Sequence, residues 1–269
     1  MTNELVSTVF LSEKRKSALL ILMDGPATIE EIKESLTGTT SAIMAQIKIL
    51  CEQGLIEQNN GKYRLTYIGK ILMKKIQPLI ETLNVVEDNK AYWLNRDLGS
   101  IPEPLLDRIG ELGKVIVDEP DLSHLFEPAK ELSISLKTTQ NVLTFYTYFC
   151  PSCPINYSKL AKKEVNFDMV LTKSVYNRLK EEYTEQYNAM MASRNSNLFI
   201  CDDNIIKLGA LSITDDLVTI AFFNKQRIFD HKKLISFDES ARKWGTDLFL
   251  YYKQMSQKVD KSVVLTTVI

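Results

Sequence analysis

The chain has 269 residues, 45% of them hydrophobic and 25% charged, and its formal net charge is −1. These values are typical of a soluble globular protein of about two domains, and they exclude a polycation that binds nucleic acid through its overall charge. No apolar run is long enough to span a bilayer and the N-terminus lacks the pattern of a secretory signal, so we expect a cytoplasmic protein without a membrane partner.

A helix near the N-terminus is followed by the pattern of a helix-turn-helix. The first helix is predicted over residues 12–23. The next one starts after Thr28, which together with Glu31 three residues later has the form of a capping box. Its apolar stripe ends at Leu36, and Gly38 supplies a turn before the following helix.

The second helix of this motif and a hairpin complete the pattern of a winged helix, an α+β domain. Apolar residues recur at helical spacing from Ile43 to Leu50. The sequence Asn59-Asn60-Gly61 is a strong signal for a hairpin turn between strands predicted at residues 55–58 and 62–66. A winged helix places its second helix in the major groove, so double-stranded DNA is the expected partner.

Charge is distributed so that one surface of this domain is expected to be basic. No acidic residue occurs from Thr37 to Cys51 or from Gln58 to Ile80, whereas the second interval has five basic residues. Because phosphate contacts supply much of the affinity for DNA, this asymmetry favours a DNA-facing surface. The alternative is a winged helix that contacts only proteins. The predicted DNA contacts are Thr39, Thr40, Ser41, Gln46 and Lys48 on the helix and Asn60, Lys62 and Arg64 on the wing.

A longer helix is predicted after the wing. Its apolar stripe runs from Ile68 to Leu83 and is longer than a small DNA-binding domain needs. Two interpretations are open, because the stripe can pack against its copy in a partner subunit or within its own chain. The first makes the protein a homodimer, which is the assembly we expect.

The chain is expected to divide into four intervals: residues 1–83 as the winged-helix domain, 84–104 as a linker, 105–259 as an α/β sensor domain and 260–269 as a loose tail. Predicted strands alternate with predicted helices in the third interval. This alternation favours an α/β fold with a mostly parallel sheet and an antiparallel edge.

Three details of the third interval can be compared directly with a structure. One amphipathic helix is predicted near residues 122–132, and a single long helix over 174–192. Two strands, at residues 208–213 and 218–223, are predicted to form a hairpin.

Two cysteines stand three residues apart, in Cys150-Pro151-Ser152-Cys153, after a predicted strand and before a predicted helix. A helix N-terminus lowers the pKa of a nearby thiol, and ligands of α/β sheets tend to lie at the carboxyl ends of strands. The pair is therefore a candidate for a reversible disulfide or for two metal-bound thiolates, with Tyr148 and Tyr157 flanking it. The alternative is an incidental pair of reduced thiols. Cys51 and Cys201 form no second motif of this kind, so no metal site is predicted.

Several segments of the chain resemble a known family. They are EEIKESL from residue 30, QIKIL from 46, YRLTYIGK from 63, IPEPLLDRIGEL from 101, LISFD from 234 and WGTDLF from 244. These segments are similar to archaeal, chiefly methanogen, transcriptional regulators in which an ArsR-like winged helix precedes a middle or sensor domain. The resemblance implies a phospholipase-D-like α/β fold in the second half, used for sensing rather than for catalysis.

One further pattern resembles the catalytic motif of phospholipase D. His231, Lys233 and Asp238 fit its spacing, H-x-K-x4-D. In those enzymes the histidine is the nucleophile, the lysine binds phosphate, and two copies of the motif are normally needed. The other histidine of this chain, His124, lacks the pattern, so we predict no catalytic residue. A hydrolase that uses His231 and Lys233 is the alternative.

These patterns together predict a dimeric, DNA-binding transcriptional regulator and not an enzyme. Its C-terminal domain is expected to sense a small-molecule effector or the redox state, without a bound cofactor. The sequence leaves open which effector is sensed, and it leaves the protein-contact alternative open as well.

Overall fold

Short helices and one hairpin build the N-terminal unit, which extends to Ile80 in a computed structural model that describes residues 4–204 and 207–261. Its elements are α1 (Glu4–Phe10), α2 (Glu13–Asp24), α3 (Ile29–Glu34), α4 (Thr40–Glu52), β1 (Ile56–Asn59), β2 (Lys62–Leu65) and most of α5 (Tyr67–Asp88). Their apolar faces meet around Leu19, Ile32 and Ile47, each at most 1% exposed. The helix-turn-helix and the hairpin therefore stand where the sequence predicts them.

Gly69, in the first turn of α5, lies close to the backbone of Leu55. A Cβ at this position would collide with the Leu55 carbonyl oxygen. Alanine normally stabilises a helix relative to glycine by about 0.5–1 kcal/mol. Here we expect Gly69→Ala to destabilise the N-terminal unit by about 1–3 kcal/mol, because backbone atoms cannot give way. Calorimetric unfolding of the variant measures this. The control is Gly99→Ala, where the nearest atom is the end of a flexible side chain. Unchanged stability of Gly69→Ala would contradict the close approach.

The C-terminal unit, from Glu81 onward, contains an eight-stranded sheet among the described residues. Its strands are β3 (Val115–Asp118), β4 (Asn141–Tyr146), β5 (Asn166–Thr172), β6 (Ser196–Cys201), β7 (Leu208–Ile213), β8 (Val218–Phe222), β9 (Lys233–Ser236) and β10 (Gln257–Lys258). Its helices are α6 (Lys90–Trp93), α7 (Glu103–Leu106), a 3-10 turn (Ile109–Leu112), α8 (Lys130–Ser135), α9 (Cys153–Lys162), α10 (Lys173–Glu182), α11 (Thr184–Ala192) and α12 (Glu239–Gln254).

The sheet is mixed, with the strand order β10-β6-β5-β4-β7-β8-β9-β3. Only β4 with β5 and β5 with β6 pair in parallel, and every other neighbouring pair is antiparallel. The prediction of a mostly parallel sheet is therefore wrong. Parallel neighbours need a crossover helix, and none stands between β7, β8 and β9. The hairpin of β7 and β8 agrees with its prediction.

Helices cover both faces of this sheet. One face packs against α12, which also contacts α7 and the 3-10 turn. Its core includes Trp244, which is fully buried and whose indole N–H donates to the carbonyl of Leu105 at 2.8 Å. The other face packs against α10 and α11, with α9 lying against α11. Its core includes Tyr157 and Phe167, at most 2% exposed.

Residues 84–104, predicted as a linker, supply part of the first of these cores. Val85, Tyr92 and Trp93 are all buried there. The indole N–H of Trp93 donates to the carbonyl of Val85 at 2.8 Å, which fixes the turn between α5 and α6. This interval is therefore folded into the C-terminal unit.

Two predicted helices differ in the structure. The segment predicted as a helix near residues 122–132 has a helix only from Lys130, because Pro128 disfavours helical backbone at the residue before it. The helix predicted over 174–192 is interrupted at Tyr183, where α10 ends and α11 begins. Residues 262–269 of the predicted tail lie outside the described residues.

Candidate functional sites

The starts of α3 and α4 are both capped by local hydrogen bonds. Thr28 and Glu31 form the predicted capping box, with reciprocal hydrogen bonds of 2.7 and 3.2 Å at the start of α3. Thr39 is the N-cap of α4, and its hydroxyl oxygen accepts from the backbone N–H of Ala42 at 3.4 Å. Each cap satisfies backbone amides that its helix leaves unpaired, so the starts of both helices are fixed in position.

The exposed face of α4 is the surface that a DNA groove would meet. Thr40, Ser41 and Lys48 are exposed, as the sequence suggested, and the side chain of Lys48 is 78% exposed. Met44 and Ala45 are exposed between them and were not predicted. Their spacing from Thr40 and Ser41, four residues along a helix, is the signal that could have found them.

Gln46 has a role inside the N-terminal unit. Its side-chain oxygen accepts from the guanidinium of Arg15 at 2.8 Å and lies 3.4 Å from the hydroxyl of Ser12. Because this oxygen is half-buried between α2 and α4, we interpret Gln46 as a residue that positions α4. It is a weaker candidate for a base contact than the sequence suggested.

The wing presents its basic side chains to solvent. Asn60 and Gly61 both have positive φ, 49° and 76°, which is the backbone that a tight hairpin turn requires. Lys62 is exposed beside this turn, and Arg64 is half-exposed with its Nε 2.8 Å from the carboxylate of Glu57 on the opposite strand. The wing therefore carries exposed cations at its tip.

A second candidate site lies where β4 leads into α9. The backbone N–H of Cys153 donates to the carbonyl of Cys150 at 3.1 Å, so the two cysteines face each other across a tight turn. The Sγ atom of Cys150 lies 3.4 Å from the hydroxyl oxygen of Ser152 and 3.6 Å from the carbonyl oxygen of Phe126. Both cysteines are buried, at 5% and 8% exposure.

The two thiols differ in acidity because they share a hydrogen bond. Donation from Cys153, helped by the side chain of Ser152 and by backbone amides, lowers the pKa of Cys150 to about 6. Burial raises the pKa of the Cys153 thiol well above its ordinary value. Cys150 is therefore the more acidic of the two thiols. By contrast, burial raises the pKa of Cys201 to about 12.

The two predicted tyrosines take different places around these thiols. Tyr148 is half-buried and stacks on Phe229 with 4.4 Å between ring centroids. Tyr157 lies in the core, and its hydroxyl is buried without a hydrogen-bond partner. Burial raises the pKa of both phenols, so both stay protonated at neutral pH. Tyr148 lines the same apolar pocket as the two thiols, whereas Tyr157 is not among its lining residues.

The three residues that fit the phospholipase D spacing do not come together. His231 precedes β9, and Lys233 begins it, with its Nζ donating to the carbonyl of Glu127 at 3.1 Å. Asp238 follows the far end of β9, where its carboxylate accepts from the backbone N–H of Lys114 at 2.8 Å. Because the strand separates the carboxylate from the other two groups, the arrangement gives the hydrolase alternative no support.

All four cysteines carry free thiols. Within residues 4–204 and 207–261, no three His, Cys, Asp or Glu side chains are grouped so that they could hold a metal ion. In the same residues, no helix has both the length and the apolar character needed to cross a bilayer.

Family comparisons match both units of the chain. Residues 3–84 match the N-terminal domain, and residues 125–255 the middle domain, of the methanogenesis regulatory protein FilR1. Two separate stretches of the chain are therefore similar to the N-terminal and the middle domain of FilR1. The FilR1 protein of Methanothrix harundinacea (strain 6Ac) is 23% identical over 255 residues, which are 93% of this chain. The chain spans 57% of the length of that relative.

The FilR1 match confirms the predicted resemblance at the level of a regulatory protein family. The ArsR-like and phospholipase-D-like parts of that resemblance stay predictions.

Two solved structures are similar to the chain at a low level. TrmBL2, described as an archaeal chromatin protein with a novel mode of DNA binding, has a TM-score of 0.44 and 20% identity, over 95% of this chain and 98% of its own. Phosphatidylserine synthase from Haemophilus influenzae Rd KW20 has a TM-score of 0.40 and 10% identity, over 87% of this chain and 48% of its own. At TM-scores under 0.5, neither likeness bears on function.

Proposed function

We propose that this chain is a DNA-binding transcriptional regulator that reads the major groove with α4. The observation that carries the proposal is the exposed face of α4, on which Thr40, Ser41, Met44, Ala45 and Lys48 follow one another at helical spacing. Hydroxyl groups of this kind reach base edges or phosphates, and the methyl groups of Ala and Met suit contact with thymine. Thr39 adds a hydroxyl at the helix start.

The charge of the unit supports the same proposal. No acidic residue occurs in α4 before Glu52, whose carboxylate lies 3.8 Å from the Nζ atom of Lys48, so the exposed face from Thr40 to Lys48 carries no negative charge of its own. Lys62 and Arg64 place cations on the wing, and Asn60 lies at its tip. Groove contact by the helix and backbone contact by the wing are the two parts of winged-helix recognition.

The proposal is tested by selection from a pool of genomic duplex DNA at several salt concentrations. Retention of particular sequences that weakens as salt rises is expected, because counterions are released when phosphates are contacted. Absence of salt-sensitive retention for any duplex, in both reduced and oxidised protein, would overturn the proposal in favour of a winged helix that contacts only proteins.

We further infer that the chain forms a homodimer through α5. Tyr67, Ile68, Ile71 and Leu79 are all exposed on this helix, at 87, 58, 64 and 49%. Large apolar side chains grouped on one helix face mark a protein contact more often than a solvated surface. A second copy of the chain is the occupant we propose, because DNA half-sites are read by pairs of winged helices related by twofold symmetry.

Replacing Ile71 with glutamate is expected to shift the dimer toward monomer, because each interface would bury an unpaired carboxylate. Sedimentation at several protein concentrations measures the shift. The control is Lys70→Glu, at an exposed position on a different side of the same helix, and it should leave the assembly unchanged. A wild-type protein that is monomeric throughout would contradict the inferred dimer.

The C-terminal unit is proposed as the sensor of a small ligand or of the redox state. Its support is the position of Cys150 and Cys153 at the carboxyl end of β4, where α/β sheets commonly bind ligands. An effector acting there would change how the two DNA-binding units of a dimer are spaced, and this spacing sets affinity for paired half-sites.

A further inference from the structure

The pair Cys150 and Cys153 lies beside a slot too small for most ligands. The space within it is about 20 Å³, which is room for roughly one water molecule. Its walls include Leu171, Val175 and Leu179, all buried and apolar. Such a slot favours small, uncharged reagents over large or charged ones.

The two thiols hold complementary roles. Cys150 stands one turn before α9, and hydrogen bonds from the side chains of Cys153 and Ser152 and from their backbone amides favour its anionic form. Cys153 is the first residue of α9 and stays protonated because it is buried among apolar groups. The Cys150 sulfur is therefore the better nucleophile of the two. The Cys153 thiol lies next to it and is available for a second step.

We propose that Cys150 and Cys153 form a peroxide-reactive dithiol, with Cys150 as the attacking sulfur and Cys153 as the resolving one. The inference rests on the proposed sensing function of the C-terminal unit and names its chemical signal. Hydrogen peroxide is uncharged and has only two heavy atoms, so it is among the smallest two-electron oxidants of thiols. A disulfide such as oxidised glutathione is a charged peptide many times larger.

The reaction consumes two thiols and one peroxide. The Cys150 thiolate attacks one peroxide oxygen, an S–O bond forms, the O–O bond breaks, and the leaving hydroxide takes a proton to become water. Cys150 is then a sulfenic acid. The sulfur of Cys153 next attacks the sulfur of Cys150, and an S–S bond forms. The S–O bond breaks, and hydroxide leaves as water with the proton from Cys153. The two cysteines lose two electrons and the peroxide gains them.

The pH dependence of the first step follows from the lowered pKa of Cys150. The reactive form is the thiolate, so the rate of oxidation is expected to rise with pH and reach half its maximum near pH 6, instead of near the ordinary thiol value of 9.0. Replacing Cys153 with alanine removes the main hydrogen bond, so the midpoint should move upward. A midpoint that stays in place would show that Cys153 does not set the acidity of Cys150.

The deciding experiment treats the reduced full chain with hydrogen peroxide at neutral pH, blocks remaining thiols and maps the peptides by mass spectrometry. Wild type should lose two hydrogens in a disulfide between Cys150 and Cys153. Cys153→Ser should give a sulfenic acid at Cys150 that dimedone traps, and Cys150→Ser should leave Cys153 reduced. Cys201→Ser is the matched control and should react like wild type.

Cys51 serves as an internal reference because it is half-exposed and burial raises its pKa. Cys150 should be oxidised about tenfold faster or more, given its larger thiolate fraction. Equal rates at the two cysteines would overturn the proposal, as would oxygen addition at Met169 or Met190, which line the slot, while both thiols remain intact. Faster reaction with oxidised glutathione than with peroxide would show that the signal is a disulfide and not a peroxide. DNA binding of the reduced protein, measured separately, tests the proposed function independently of these outcomes.

Discussion

Replacing Lys62 and Arg64 together with alanine is expected to weaken DNA binding roughly ten- to hundredfold, because each side chain would lose a charge-assisted contact with phosphate. The slope of log affinity against log salt should become shallower by about 2, one unit for each lost phosphate contact. The loss should be similar for all duplex sequences, since backbone contacts carry no sequence information. Fluorescence anisotropy with a labelled duplex across a salt series measures both quantities.

A two-charge control separates local contact from overall charge. Lys162 and Lys163 are exposed at the end of α9 in the C-terminal unit, and their replacement by alanine changes net charge equally. This control should keep the wild-type slope. The wing assignment would be refuted if the wing variant and the control had the same slope. Arg64 is partly engaged with Glu57, so Lys62→Ala alone is expected to account for at least half of the change.

Replacing Asp230 with alanine is expected to destabilise the C-terminal unit by about 3–5 kcal/mol, because it leaves a buried guanidinium without its counterion. The side chain of Arg96 is only 1% exposed and makes two hydrogen bonds to the Asp230 carboxylate, at 2.8 and 2.7 Å. The guanidinium also lies 4.0 Å from the centre of the Tyr92 ring. Both tryptophans, Trp93 and Trp244, belong to this unit, so urea unfolding followed by tryptophan fluorescence reports its stability.

Two further variants identify the cause. Glu119→Ala removes an exposed ion pair with Lys232, 2.7 Å apart, and should cost at most about 1 kcal/mol. Replacing Arg96 with methionine and Asp230 with leucine together removes both charges and should restore much of the lost stability. If this double variant were as unstable as Asp230→Ala, lost packing and not an unpaired charge would explain the effect.

The pH dependence of this ion pair has a definite sign. Burial alone would raise the pKa of Asp230, but the hydrogen bonds and charge of Arg96 hold it below its ordinary value of 3.8. The stabilisation is therefore fully present above pH 4 and is lost as pH falls through the lowered pKa. The difference between wild type and Asp230→Ala should shrink only in that acidic range.

The N-terminal unit could be predicted from sequence because its signals are local. The capping box of Thr28 and Glu31 and the turn at Asn60 and Gly61 each depend on residues within four positions of one another. The internal role of Gln46 could not be predicted in this way, since its partner Arg15 lies 31 positions away. No local sequence pattern indicates which of the polar side chains on α4 will form a hydrogen bond with another helix.

The strand order of the C-terminal unit was harder to predict for a related reason. Alternation of strands and helices from β4 to β6 gives the parallel part, but β3 and β9 are four-residue strands that pair across more than a hundred positions. Such short segments have too few residues for a periodic signal. The spacing of Cys150 and Cys153 identified the thiol pair, whereas the unequal acidity of the two thiols depends on burial that only the fold defines.

The position of β3 at the edge of the sheet has a consequence during protein synthesis. Among the described strands its one neighbour is β9, and Val115 pairs with Ser236, about 120 residues later in the chain. At translation rates of about 5–20 residues per second, roughly 6–24 seconds pass between the synthesis of β3 and the synthesis of its partner β9. The N-terminal unit can fold during this time, while the newly made β3 presents an unpaired backbone edge to other nascent chains.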